Sequence, residues 1–101
     1  MKVPFNINLS GKTAIVTGGS GTLCSAMAYG LAVSGANVAI IGRNIEKLAS
    51  VSEKLTKDAL DEYNKNVTVK GYSCNVINKD ELSAAYETIK NELGSCDILI
   101  N

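Results

Sequence analysis

The sequence predicts an α/β fold, a doubly wound parallel sheet, and three observations predict it. Short β-branched runs alternate with longer stretches of helical period. Each helical stretch runs ten residues or more, and glycine or asparagine punctuates most changes of period. Antiparallel neighbours can be joined by a two-residue turn, whereas parallel neighbours need a crossover of about a dozen residues, usually a helix.

The first run, Thr13-Ala14-Ile15-Val16-Thr17, is a compact apolar stretch, expected as a strand buried on both faces. The turn Gly18-Gly19-Ser20-Gly21 follows it. Leu23, Ala26, Met27, Gly30, Leu31 and Ser34 then recur at helical spacing, predicting an amphipathic helix with these residues on its inner face. Gly35 stands where a helix C-terminal glycine belongs. Asn37 to Ile41 forms the second buried strand. Asn44 can cap a second helix, whose predicted stripe is Ile45, Leu48, Ala49, Ser52, Thr56, Ala59, Leu60 and Tyr63. Asn64-Lys65-Asn66 breaks it. Val67-Thr68-Val69 alternates as a third strand, with its carboxyl end near Cys74-Asn75. Asn78 with Glu81 resembles a capping box, opening a helix striped by Leu82, Ala85, Tyr86, Ile89 and Leu93 and closed by Gly94. Asp97-Ile98-Leu99-Ile100 begins a fourth strand. The expected order is β-α-β-α-β-α-β, the first portion of a doubly wound sheet. A strand reaching Asn101 with no helix after it leaves an edge uncovered. Residues 1–101 are therefore expected to be the N-terminal part of one domain, a fragment of a longer protein.

Composition narrows the function. Ten basic residues balance ten acidic ones with no run of one sign, which argues against a nucleic-acid surface or a polybasic membrane patch. Leu, Ile, Val and Phe make up 27 of the 101 residues, enough for a packed core and too many for disorder. The chain has no histidine, so it offers neither imidazole acid/base catalysis nor imidazole metal ligands. Cys24, Cys74 and Cys96 show no C-x-x-C spacing and read as reduced thiols. No apolar run has signal-peptide or membrane-span length, so a soluble, cytoplasmic protein is expected.

The carboxyl ends of the four strands fall at Thr17-Gly18, Gly42-Arg43, Cys74-Asn75 and Asn101, all on one edge of the sheet. Ligands of such folds bind in the crevice outside that edge. The glycine turn there supplies a chemistry. Glycines let a pyrophosphate approach the backbone, and the following helix presents unpaired N–H groups and the positive end of its dipole. Gly18, Ser20, Gly21, Thr22 and Leu23 are the candidate phosphate-binding residues, with the Ser20 and Thr22 hydroxyls as added donors. The plain alternative is a tight turn with no ligand. A glycine cluster alone is a weak signal; its place after the first strand, with a candidate ribose-end residue 22 positions beyond Gly21, strengthens it.

These residues carry a resemblance. Leu9-Ser10-Gly11-Lys12-Thr13-Ala14-Ile15-Val16-Thr17-Gly18-Gly19 resembles the N-terminus of the short-chain dehydrogenases/reductases, and Asp97-Ile98-Leu99-Ile100-Asn101 resembles the start of that family's D-x-L-x-N-N-A-G segment. The family's usual T-G-x-x-x-G-x-G would place glycines at 22 and 24, where this chain has Thr22 and Cys24, with Gly21 one position early. The variant T-G-G-x-G-x-L-C, continued by Ser25-Ala26-Met27-Ala28, is similar to the D-mannonate oxidoreductase (fructuronate reductase) branch. The resemblance implies a Rossmann sheet binding NAD(P), and a full-length oxidoreductase moving hydride between a secondary alcohol and a ketone. It also implies a small-molecule substrate, a sugar acid such as D-mannonate or D-fructuronate, and a homo-oligomer.

The cofactor is chosen at the end of the second strand, where NAD-selective sheets carry an acid that binds the ribose hydroxyls. Here Gly42, Arg43 and Asn44 occupy that turn, and Arg43 is the chain's single arginine. A guanidinium pairs with a 2′-phosphate and cannot accept from a hydroxyl, which favours NADP(H) and leaves NAD(H) open. The resemblance further places Cys74, Asn75 and Val76 where the family has Asp-Val beside adenine. An asparagine carbonyl can still accept from the adenine amino group. Asn101 would be the first asparagine of N-N-A-G.

The family's catalytic set is a serine with Tyr-x-x-x-Lys. Tyr86 and Lys90 have that spacing, but Tyr86 lies on the apolar stripe of the third helix and reads as a packing residue; no catalytic residue is expected in this segment. Gly11-Lys12-Thr13 imitates the tail of a P-loop, yet position 6 is Asn6 and the string precedes a strand rather than following one. Two other classes fit the glycine turn: a non-catalytic dinucleotide-binding module or truncated product, and an adenosyl-methionine-dependent methyltransferase. Gly42-Arg43 speaks against the latter, which should have an acid there.

Overall fold

Alternation along each strand decides which side chains meet which helices. In the computed structural model, which describes residues 9–17, 22–75 and 77–100 (backbone alone for 22–24), four parallel strands form one sheet. They are β1 (Thr13–Thr17), β2 (Asn37–Gly42), β3 (Val69–Ser73) and β4 (Ile98–Ile100), in the order β3-β2-β1-β4. Three helices connect them: α1 (Thr22–Val33), α2 (Ile45–Tyr63) and α3 (Lys79–Leu93). Val16, Val38, Ile40 and Val69 pack with Ala28, Ala32, Leu48, Leu55 and Ala59, so α1 and α2 cover one face. Ile15, Ala39, Ile41, Tyr72 and Cys74 pack with Ile89 of α3 on the other. Helices on both faces of a parallel sheet make the doubly wound fold that the alternation of periods predicts.

The chain reverses its direction of travel across the sheet between β1 and β4. The step β1 to β2 to β3 moves one way, and α3 then carries the chain back to pair β4 against β1. The amino end of that pair is clasped twice over. Asp97 N–H donates to the Thr13 carbonyl at 2.8 Å, and Thr13 N–H donates to Asp97 Oδ2 at 2.9 Å. Thr13 Oγ1 also donates to the Leu93 carbonyl at 2.8 Å.

Three sequence expectations shift in register. The inner face of α1 is Ala28, Ala32 and Val33, while Ala26 is exposed and Met27 is 41% exposed. The helix is apolar on nearly every side, so its periodicity leaves the phase undetermined; small side chains at i and i+4 set it by letting the helix lie close to the sheet. On α2 the buried line is Leu48, Ser52, Leu55 and Ala59, whereas Ile45, Ala49 and Leu60 lie outward. Leu55, missing from the predicted stripe, completes an i, i+4, i+7, i+11 row.

The third strand runs over 69–73: it begins two residues later than the alternation at 67–69 suggests and ends beside Cys74, as expected. Its pairing with β2 sets in at Thr68, whose carbonyl accepts Val38 N–H at 2.9 Å, and continues through Gly71. Glycine weakens a strand signal, but here it has a packing reason. A Cβ built on Gly71 would stand 2.5 Å from Leu48 Cβ, so α2 touches β3 where no side chain intervenes.

The helix caps follow the sequence closely. Asn44 Oδ1 accepts from Lys47 N–H, and Asn78 Oδ1 accepts from the N–H groups of Asp80 and Glu81. The Glu81 carboxylate reaches back to Asn75 N–H at 3.4 Å, so the capping box closes three residues further upstream than its usual form. Gly35 ends the α1 segment with φ of +102°, a left-handed conformation that glycine adopts without a Cβ penalty. Tyr86 is half-buried and packs against the α3-side core.

Candidate functional site

The parallel arrangement brings the carboxyl ends of all four strands to one edge, and the reversal between β1 and β4 marks where a crevice opens. At that point Thr17 Oγ1 donates to the Ile100 carbonyl at 3.4 Å, joining the last turns of β1 and β4. Backbone helix begins at Thr22, so α1 starts at this edge. Gly18, Ser20, Gly21, Val76 and Asn101 lie outside the described residues, as do the side chains of Thr22 and Leu23.

The β2–α2 turn is described in full. Gly42 ends β2 opposite Ser73, and its carbonyl accepts Cys74 N–H at 2.8 Å. A Cβ at Gly42 would meet Leu48 Cδ2 at 3.3 Å, so the residue at the end of β2 also sits directly on α2. Arg43 is exposed, and among the described residues no carboxylate pairs with it. Its carbonyl accepts from Ser73 Oγ at 3.2 Å. Asn44 has its side-chain oxygen in the cap of α2, where it accepts one bond, and its amide nitrogen is a donor beside Arg43.

At the end of β3 the two residues differ. The Cys74 side chain is 4% exposed and packs with Ile89 and Ile41, so the thiol belongs to the α3-side core rather than to the edge. Burial pushes its pKa up, and the nearby Glu81 carboxylate adds to the shift. A buried, raised thiol is inert rather than reactive. Asn75 is half-buried and folded into a local turn: its carbonyl accepts Asn78 N–H at 2.9 Å and its Oδ1 accepts Ile77 N–H at 3.3 Å. The oxygen expected to face adenine thus already holds one bond, with a second lone pair left over.

Thr17 lies at this edge, where the end of the first strand was expected, and Ser73 is a polar residue there that the sequence did not single out. Cross-strand register pairs Ser73 with Gly42 and so brings it beside Arg43, and one strand's alternation carries no signal of that. Among the described residues no group of acidic, cysteine or histidine side chains could hold a metal ion, and no helix is long and apolar enough to cross a membrane.

A parallel, doubly wound sheet, with the glycine-rich sequence Gly18-Gly19-Ser20-Gly21 after its first strand, is the architecture of dinucleotide-binding α/β folds. Residues 12–101 match the family model for short chain dehydrogenases, and the chain belongs to that family. It is 40% identical over 99 residues to an uncharacterized oxidoreductase, UxuB, of Bacillus subtilis, covering 98% of this chain and 33% of that protein. Among solved structures it is similar to one provisionally described as a D-mannonate oxidoreductase of Haemophilus influenzae with bound NAD. That likeness has a TM-score of 0.81 and 32% identity, over 93% of this chain and 31% of that one. L-sorbose reductase of Gluconobacter frateurii, complexed with NADPH and L-sorbose, superposes with a TM-score of 0.82 at 27% identity, over 96% and 35% of the two chains. The chain therefore spans about a third of the length of these relatives.

Proposed function

We propose that residues 1–101 are the N-terminal, dinucleotide-binding part of an NAD(P)-dependent short-chain oxidoreductase. The full-length protein would interconvert a secondary alcohol and a ketone, with a sugar acid of the D-mannonate/D-fructuronate type as its substrate class. The bound nicotinamide would supply the hydride chemistry. This segment's own residues would hold the cofactor: the turn around Gly18, Ser20 and Gly21 with the start of α1 at the diphosphate, and Gly42 and Arg43 at the adenosine ribose. Asn75 would lie towards the adenine.

The observation that carries this reading is the state of the β2–α2 turn. The position where an acid would clasp a free ribose diol is a glycine, and the next residue is an exposed arginine with no carboxylate partner among the described residues. The solved relatives include both an NAD and an NADPH complex, so the choice falls to local residues. Arg43 favours NADP(H), because a guanidinium forms short charge-assisted bonds to a phosphate dianion.

The test is calorimetric titration of the full-length protein with NADPH and NADH. Arg43→Asp should weaken NADPH by about 10- to 100-fold, as expected for losing a hydrogen bond between charged groups, and should change NADH little. Equal losses for both cofactors would remove Arg43 from the 2′-phosphate. Turnover of D-mannonate or D-fructuronate by the same protein, against L-sorbose as control, tests the substrate class.

A further inference from the structure

The β2–α2 turn is held from three sides, and the third holder has no other task. On one side Cys74 N–H donates to the Gly42 carbonyl, as part of the strand pair. On the second, Asn44 caps α2 through Lys47 N–H and fixes the residue after Arg43. On the third, the Ser73 hydroxyl donates to the carbonyl of Arg43 itself at 3.2 Å. Ser73 is exposed, and the contact its side chain makes here is the hydroxyl bond to the Arg43 carbonyl.

We infer that Ser73 is a positioning residue for cofactor choice: by fixing the Arg43 carbonyl it aims the Arg43 side chain at the 2′ position of the adenosine ribose. The inference rests on the proposed NADP(H) reading of Arg43 and adds to it the residue that sets the direction of the guanidinium. The physical reason is where the Ser73 bond falls in the turn. With Gly42 bonded to β3 and Asn44 bonded into α2, the orientation of the peptide group between Arg43 and Asn44 is what the Ser73 bond restricts. An arginine has many rotamers, so a backbone that swings beneath it spreads the guanidinium over positions that miss a phosphate. NADH presents no phosphate there and gains nothing from that aim.

The experiment uses the full-length protein and four variants, titrated with NADPH and with NADH. Ser73→Ala should weaken NADPH about threefold, the size of one net hydrogen bond, and leave NADH unchanged. Ser73→Thr retains the hydroxyl and should restore NADPH binding. In an Arg43→Ala background, adding Ser73→Ala should produce no further loss, because there is no guanidinium left to aim. Unchanged NADPH affinity in Ser73→Ala, or equal losses for the two cofactors, overturns the inference while the Arg43 reading stands. Undiminished NADPH affinity in Arg43→Ala overturns the Arg43 reading and this inference with it. Thermal unfolding of Ser73→Ala should match the parent, so a merely structural role would show itself as a fall in Tm with no change in the cofactor ratio.

Discussion

The two faces of the sheet are built differently. Under α1 and α2 the face is closed: Val16, Val38, Ile40 and Leu48 are each fully buried, and two glycines, Gly42 and Gly71, let α2 rest directly on the strands. Under α3 the face is half open. Ile89 is the only fully buried side chain described on that helix, Leu99 of β4 is 50% exposed, and a groove of about 340 Å³ runs between Ile15, Tyr86, Ile89 and Leu99. The closed face carries the turn that bears Arg43, since α2 starts there and Leu48 locks it to Gly42, the residue just before.

The largest effect should come from the side chain common to both glycines. Leu48→Ala should cost about 3–5 kcal/mol in urea unfolding, because the site is enclosed and cannot collapse. Ile89→Ala removes a comparable side chain from the half-open face, where neighbours can relax into the space, and should cost about 2–3 kcal/mol. If the two costs are equal, the contrast between the faces has no energetic meaning. Gly71→Ala comes next, at about 1–3 kcal/mol: the added methyl would stand 2.5 Å from Leu48 Cβ, so α2 must move away as a body. A Gly71→Ala/Leu48→Ala pair that is less destabilised than the sum of its single changes would identify that contact as the cause. Leu99→Ala in this chain should cost under about 1 kcal/mol, because half of the side chain already faces water.

The sequence made the fold legible where composition and local chemistry agreed. Buried strands announce themselves as β-branched runs, and Asn44 and Asn78 mark helix starts because their side-chain oxygens serve free N–H groups. The phase of α1 was hidden because a helix apolar on most sides has no unique inner stripe. The extent of β3 was hidden because Gly71 is there for α2, a partner 23 residues earlier in the chain, and a local window contains no trace of it. Near the proposed site, the place of Arg43 in the turn between β2 and α2 was legible from the alternation of periods. The inward turn of Cys74 was not recognised, although alternation from Tyr72 would put it on the α3 face. Nor was the Ser73 bond to the Arg43 carbonyl, which depends on cross-strand register.

The smallest effects concern pH, and they separate the faces once more. Each face has a tyrosine bonded to a glutamate: Tyr29 to Glu62 at 2.8 Å between α1 and α2, and Tyr72 to Glu92 at 2.7 Å between β3 and α3. Burial first, and then the carboxylate partner, push both tyrosines well above the ordinary range. A raised acid favours folding while it keeps its proton, so this stability is complete below about pH 10 and declines as pH rises beyond it. Both faces share that alkaline loss. On the α3 face Lys70 joins the pair, at 2.8 Å from Glu92 Oε1, and its hydrogen bond, followed by that of Tyr72, holds the Glu92 carboxyl below its usual value. A lowered acid favours folding while it is ionised, so that contribution is present above the ordinary glutamate range and is lost as pH falls through the folded value. Denaturant midpoints across pH 2–11 should therefore show Glu92→Gln flattening the acid limb and Tyr29→Phe flattening only the alkaline one. Tyr72→Phe should soften both limbs, and an acid limb unmoved by Glu92→Gln would mean that the Lys70 bridge is too exposed to matter.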